Sequence, residues 1–448
     1  MINNYIIRVF NLFILLKKYI SIFGIKFTGP FFFRISIKIF PNWSHIYLTK
    51  FLWPFYSNDL HIKNIQLQKN IIYRITFADD INKRSSLKKD ILLSAKMIFK
   101  RKFKFLGLKK VDFTNENYWN KDFSTGFSWG KKFYTHYNES DIFVDNGSDI
   151  KIPWELCRMH HFTALGQAWK LTNDISYPEK ICSDWKDWIN ENPFCYGINW
   201  LSTMEVAIRA VNFIVASELI YDSKLWKDNK DYFLNNIRLH GIYIENNLEI
   251  GVSNLSIIAG NHYLANICGL YIIGKACPNF PESKKWVELG KAELEKEISR
   301  TVLNDGFYFE SSTSYHRFAI ELFIYPYLVA RNSGDSFSTN YSKKIISMLN
   351  FSKNIMDPSG TTPQIGDNDN GRLLILSNYS NANYNDYRYL LSMGAIIFNE
   401  PKFFKFVKNS SSEIFWLFRN KLNVPKNKKR LNIEESYSFD ESGLRVIN

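Results

Sequence analysis

The chain has 448 residues, 46% of them hydrophobic and 22% charged, the balance of a folded protein with a real core and too long for one ordinary compact domain. Its formal net charge of +14 is uneven: residues 1–110 hold 21 basic and 4 acidic side chains, whereas the rest hold 36 and 39. Five cysteines (Cys157, Cys182, Cys195, Cys268, Cys277), odd in number and without a CxxC pair, exclude a disulfide framework or a zinc site and read as buried thiols.

Residues 1–110 form a basic N-terminal segment of mixed helix and strand character. It opens on an apolar stretch that Lys17 and Lys18 interrupt well short of the ~18 residues a membrane span needs. No A-x-A-like cleavage site follows, so an amphipathic, surface-lying helix describes it better than a signal peptide. The basic surplus fits attraction to a polyanion or peripheral contact with an anionic membrane; nucleic acid is not an expected partner. The plain alternative is compositional drift, since Lys, Ile, Asn and Phe are all abundant. If the charge serves a polyanion, binding weakens steeply between low and physiological salt; binding insensitive to salt points to drift. Ile71–Phe77 alternates like a strand, and Asp90–Lys102 has helical character.

Residues 111–150 read as an irregular connector. From 151 to 425 long amphipathic stretches alternate with short breaks, and helices are expected near 154–172, 179–191, 201–221, 229–247, 261–276, 283–302, 315–333 and 340–356. The fold class is therefore mainly α, a run of antiparallel helical hairpins that closes into an α/α toroid or stacks as a solenoid. No fixed-period repeat is present, which argues against a regular solenoid. Residues 426–448 read as a charged linker and the opening strand of a β-domain. A lone strand cannot bury its face, so a truncated product or a pairing partner elsewhere is expected.

Several strings carry chemistry-bearing residues. Glu155 and Arg158 sit three apart on one helix face, as a structural ion pair would. Pro193 and Gly197 force a loop before a helix on which Glu205 and Arg209 are four apart, and Asn199, Trp200, Glu205 and Arg209 are candidates for a common groove. Asn261 and His262 stand where a helix begins, and simple capping is the competing reading for Asn261. Around Glu310 a Ser/Thr-rich bend leads into Tyr315 and His316 at another helix start. The loop from Pro363 carries Asp367, Asp369 and Arg372, but lacks the Glu that closes an EF-hand calcium loop, so no metal is expected. Aromatics reach 17%, and although most belong to the core, exposed Trp or Tyr would suit sugar stacking.

Taken in order, Phe103–Gly107, Trp119 with Trp129, Trp154–Arg158, Asn192–Arg209, Asn261–Leu264, Asp305–His316 and Pro363–Arg372 resemble the successive signature strings of heparinase II/III-type polysaccharide lyases. The resemblance spans about residues 100–375. It implies an incomplete α/α toroid followed by a β-sandwich that is nearly all missing here. It also implies β-elimination on an acidic, uronate-containing glycan, without a cofactor, in the periplasm or cell envelope. Asn261 matches the family's neutraliser of the uronate carboxylate and Tyr315 its catalytic acid, and His316 beside it is the third catalytic candidate. Asn199, Trp200, Glu205, Arg209, His262, Glu310, Asp367, Asp369 and Arg372 are then substrate-binding candidates. A base role for Tyr315 needs cationic neighbours such as Arg209, His262 or His316. The family's own catalytic histidine comes from the β-domain and has no counterpart that can be assigned. Two rivals remain: an α/α-toroid glycoside hydrolase using a pair among Glu205, Glu310, Asp367 and Asp369, or a non-catalytic glycan-binding or surface-polysaccharide assembly module.

Overall fold

The computed structural model describes residues 62–72, 85–103, 111–112, 118–253, 256–357, 359–377, 379–407, 411–418 and 436–447. Thirteen helices run through them: α1 (Ser85–Phe99), α2 (Glu139–Ile142), α3 (Lys151–Cys157), α4 (His160–Thr172), α5 (Ser176–Glu191), α6 (Thr203–Ile220), α7 (Lys224–Asn246), α8 (Asn261–Ala276), α9 (Ser283–Thr301), α10 (Thr313–Asn332), α11 (Thr339–Ile355), α12 (Arg388–Phe398) and α13 (Ser411–Phe418). The helices expected from 179 to 356 form within a few residues of the sequence reading. The stretch at 154–172 divides in two, because Met159 adopts a left-handed conformation with φ 62° between α3 and α4.

From α4 onward the helices alternate between two layers. The even-numbered ones pack in succession, α4 on α6, α6 on α8, α8 on α10 and α10 on α12. Each odd-numbered helix covers its predecessor from outside, and outer neighbours touch one another. Burial follows from sequence: α6 is apolar on nearly all faces and buries 16 of its 18 residues, whereas α9 has one apolar stripe and buries 9 of 19. Small residues let the inner helices approach closely; a Cβ on Gly269 of α8 would lie 2.9 Å from that of Ala207 on α6. The result is an incomplete α/α toroid. Because every inner helix returns through an outer one, the inner helices all run the same way, and their N-termini gather at one end.

An extended segment, Arg372 to Leu376, is buried across the inner helices. The Leu373 carbonyl accepts from His160 at 3.2 Å and Asn212 at 2.9 Å, and that of Leu376 accepts from Gln167 at 2.9 Å. The preceding loop is thereby pinned over the N-terminal end of the inner layer. Among the described residues no helix is long and apolar enough to cross a membrane.

Two local expectations are corrected, and two others lie wholly or largely outside the described residues. The expected strand at 71–77 has only Ile71 and Ile72 within the described residues, and these form a bend whose Ile71 N–H donates to Glu218 at 3.0 Å. The helix expected to reach Lys102 ends at Phe99, since Arg101 takes φ 52° and Lys102–Phe103 (β1) pairs with Val111–Asp112 (β2). The opening amphipathic segment lies outside the described residues. At the other end the tail is a two-stranded hairpin, with β5 (Ser436–Phe439) antiparallel to β6 (Leu444–Ile447), which makes its own partner. A second hairpin, β3 (Gly251–Ser253) with β4 (Ser256–Ile258), precedes α8.

The tail hairpin is anchored by one ring. Phe439 packs 4.6 Å from Phe351, which stacks on Phe307 at 4.3 Å. Glu441 accepts from the Asn304 main chain at 2.6 Å, and the Ser442 N–H donates to Asp305 at 2.8 Å. Truncating a buried Phe costs about 3 kcal/mol, more than an isolated hairpin can supply. Phe439→Ala is therefore expected to open the hairpin alone. Hydrogen exchange checks this: the amides of 436–447 lose protection while those of α6 and α8 keep theirs.

Candidate active site

The mouth at the N-terminal end of the inner helices collects side chains from seven segments. Glu205 lies in the first turn of α6, Asn261 and His262 open α8, and Tyr315 lies in the first turn of α10. Lys151, Glu155 and Arg158 come from α3, Glu310 from the turn before α10, Asp367 and Asp369 from the pinned loop, and Glu249 from the segment after α7. Three helix N-termini aimed at one opening favour negative charge there.

The contacts form four groups. Asn261 donates its main-chain N–H to Glu310 at 2.8 Å and its side-chain amide to the other Glu310 oxygen at 2.5 Å. The Tyr315 hydroxyl donates to Asp369 at 2.9 Å, and the second Asp369 oxygen receives Lys151 at 2.7 Å. Arg158 donates two bonds of 2.7 Å to Glu205 and a third to Glu155. His262 Nδ1 lies 3.2 Å from Glu249, which also accepts from the Met204 N–H at 2.8 Å and so caps α6. The links interlock electrostatically: Glu310 bears on both Tyr315 and His262, Glu205 on His262, and Arg158 on Asp369.

These surroundings set protonation. Partial burial raises the Tyr315 phenol, and the Asp369 hydrogen bond with the charges of Asp369, Asp367 and Glu310 raises it further, so it is held as the proton-bearing acid. Loss of water opposes charge on His262, but Glu249 outweighs it, helped by Glu205 and Glu310, and the imidazole is raised above its usual range. Asp369 is lowered despite its burial because Lys151 and Tyr315 both donate to it. Burial pushes Glu155 up to about 7 against the pull of Arg158.

The structure brings together Glu205, Asn261, His262, Glu310, Tyr315, Asp367 and Asp369. Five other sequence candidates lie in the core. His316 is fully buried, bonded to the Met348 carbonyl at 3.2 Å and Ser352 at 3.1 Å, and burial takes its pKa down to about 3. Asn199 spends its amide on Trp119, Asn120 and Asn192. The Arg209 guanidinium sits 4.4 Å over Trp188 and 5.5 Å over Trp200, and donates to the Asn199 carbonyl at 2.9 Å; both it and Trp200 are sealed from water. Arg372 pairs with buried Glu321 and lies 4.2 Å over Tyr389. No tryptophan of this aromatic box reaches the mouth. The expected Glu155–Arg158 pair does form, but Glu205 turns to Arg158 instead of Arg209. Lys151 and Glu249 were not among the sequence candidates. Lys151 meets Asp369 across 218 residues of sequence, which no local pattern reports.

The family model for the heparinase II/III N-terminus matches residues 76–389. The chain belongs to the heparinase II/III family. Every mouth residue named above lies inside that heparinase II/III match. A heparin-sulfate lyase of Bacteroides stercoris is 27% identical over 242 residues, 49% of this chain and 35% of that protein. Another heparin-sulfate lyase, from Pedobacter heparinus, is 26% identical over 227 residues, 49% of this chain and 33% of its own length. The matched stretch thus spans about a third of these curated family members. Among solved structures, heparan sulfate lyase HepC from Pedobacter heparinus is 18% identical, with a TM-score of 0.49 over 81% of this chain and 50% of that one.

Proposed function

We propose that this protein is a polysaccharide lyase that cleaves an acidic, uronate-containing glycan by β-elimination. The observation that supports it most is that Glu310, hydrogen-bonded to Asn261, also bears electrostatically on Tyr315, 54 residues from Asn261 in sequence, with Lys151, Arg158 and His262 supplying positive charge nearby. In this reaction a base removes the proton at C5 of the uronate. The C–H electron pair becomes the C4–C5 double bond, and the C4–O4 bond breaks with O4 taking a proton. The C5 proton is not acidic beside an ionised carboxylate, so the carboxylate must first be neutralised. Asn261 serves by donating an amide N–H, assisted by His262 in its protonated form, which Glu249 favours. Tyr315, whose neighbours hold it as a phenol, donates the proton to O4. Asp369 accepts from that phenol, and Lys151 supplies the countercharge that lets it stay there.

The test is to incubate the protein with uronate glycans and follow the ultraviolet absorbance of the unsaturated uronate. Appearance of that chromophore supports the reading. A hydrolase would give saturated ends, and it needs a pair of carboxylates: Glu205, Glu310 and Asp369 are each committed to Arg158, Asn261 or the Tyr315–Lys151 pair, which leaves Asp367 alone. Cell-envelope location and membrane contact through the basic N-terminal segment remain proposals of the same kind, motivated by the family resemblance and the clustered charge.

A pH prediction follows from His262. Its folded pKa is raised, so the His262–Glu249 pair supports folding fully below the unfolded value of about 6.5 and loses that support as pH rises through the raised value. Substrate binding should weaken as pH rises through the same raised value. The affinity of an inert uronate oligosaccharide, measured against pH, checks this: His262→Gln should flatten that limb, and an unchanged limb would remove His262 from the site.

A further inference from the structure

We infer that Glu310 is a positioning residue, clamping the main-chain N–H and the side-chain amide of Asn261 so that the second amide N–H faces the substrate carboxylate, with Gly260 leaving room for the clamp. The functional half rests on the lyase reading; the geometric half does not.

Both oxygens of Glu310 are used, at 2.8 Å on the main chain and 2.5 Å on the amide. That bite has a chemical consequence. An Asn side chain can present either its oxygen or its NH2, and the two ends have nearly the same shape. A carboxylate only accepts, so Glu310 compels the NH2 end of Asn261 toward itself. One N–H is then bound and the other is left for the substrate. Turned the other way, Asn261 would present its carbonyl oxygen to the uronate carboxylate and repel it. Nor is Asn261 a simple N-cap: Gly260 occupies the cap, and Asn261 is the first residue of α8.

The surrounding chain is built to hold Glu310 there. Val302 and Tyr308 form a β-bridge, and the Phe309 N–H donates to the Thr301 carbonyl at 3.0 Å, which fixes the approach of Glu310. Arg300, on the last turn of α9, donates to the Ala259 carbonyl at 2.8 Å and ties the start of α8 to the same corner. Between them lies Gly260, where a Cβ would fall 2.3 Å from a Glu310 carboxylate oxygen. Its φ of −103° and ψ of −159° are extended values that alanine also adopts, so the glycine is required by the carboxylate and not by the backbone.

The test attacks one pair of hydrogen bonds from both sides. Glu310→Ala removes the acceptor, and Gly260→Ala pushes it aside. Each variant should lower kcat by roughly 10- to 100-fold, the scale of a misplacement of about 1 Å, with KM changed far less. In the Glu310→Ala background, Gly260→Ala should add nothing, because the group it collides with is gone. Glu310→Gln, which keeps one acceptor, should fall between. Independent losses that add, or full turnover in Glu310→Ala, would overturn the inference. Asparagine-selective nitrogen labelling supplies an arm that needs no turnover. The Asn261 side-chain amide, assigned with Asn261→Ser, should sit at the same shifted position in Glu310→Ala and Gly260→Ala and elsewhere in the wild type. An amide resonance unmoved by Glu310→Ala refutes the clamp, whereas a wild-type protein with the shift and no elimination refutes the lyase reading alone.

Discussion

Replacing Tyr315 with phenylalanine is expected to lower the turnover of uronate elimination by roughly 10²–10⁴-fold, the range that a positioned general acid supplies. The ring stays, so its packing at the start of α10 is kept. What is lost is the hydroxyl that donates to Asp369 at 2.9 Å and would protonate O4 during reaction. Because most substrate contacts remain, KM should move by a small factor, so kcat and kcat/KM fall together. Steady-state kinetics on one glycan reads both. The variant should fold, since Asp369 keeps Lys151 at 2.7 Å and stays partly exposed. Full turnover in Tyr315→Phe would remove Tyr315 from the chemistry.

The second large effect is on stability. Arg158 is the only guanidinium bonded to both Glu155 and Glu205 among the described contacts, and all three side chains are buried. Arg158→Met keeps much of the volume but leaves two carboxylates without their cation. Breaking a buried ion pair from one side costs about 3–5 kcal/mol, and chemical denaturation should show a loss of that order. The pH dependence has a definite sign. Burial has already raised Glu155 to about 7, above its unfolded value, so its cost to folding is felt at alkaline pH and relieved as pH falls through that value. Without Arg158 it rises further, and the deficit of the variant should shrink on mild acidification. The triple variant Glu155→Gln, Arg158→Met, Glu205→Gln should recover most of the loss, since no charge remains stranded.

Much of this arrangement was legible in the sequence, for identifiable reasons. The outer helices α5, α7, α9 and α11 carry one apolar stripe and α6 and α8 are apolar nearly all round, and Ser223, Ser312 and Ser338 cap α7, α10 and α11 with side-chain bonds of 3.1–3.2 Å, so their starts were readable. Asn261 and Tyr315 were legible because inner helices of such hairpins run parallel and bring their first turns together. Tyr315 and His316 show the limit: successive helical residues point about 100° apart, and a shared motif does not say which one faces the mouth. Arg209 misled because an arginine usually seeks water, yet here Trp188 and Trp200 replace it. The Lys151–Asp369 pair depends on how a distant loop is pinned by Leu373 and Leu376, which only the folded chain defines. The tail hairpin carried its own signal, Asp440 to Gly443 ahead of a second alternating run, with Gly443 at φ 69° closing the turn.

One measurement bears most directly on the central claim. The protein is incubated with a uronate glycan in heavy-oxygen water, and the new chain ends are weighed by mass spectrometry. β-Elimination adds no water, so the account predicts an unsaturated uronate at one end, no heavy oxygen from bond cleavage, and loss of this product in Tyr315→Phe. Saturated ends that carry one heavy oxygen per cleavage would contradict it.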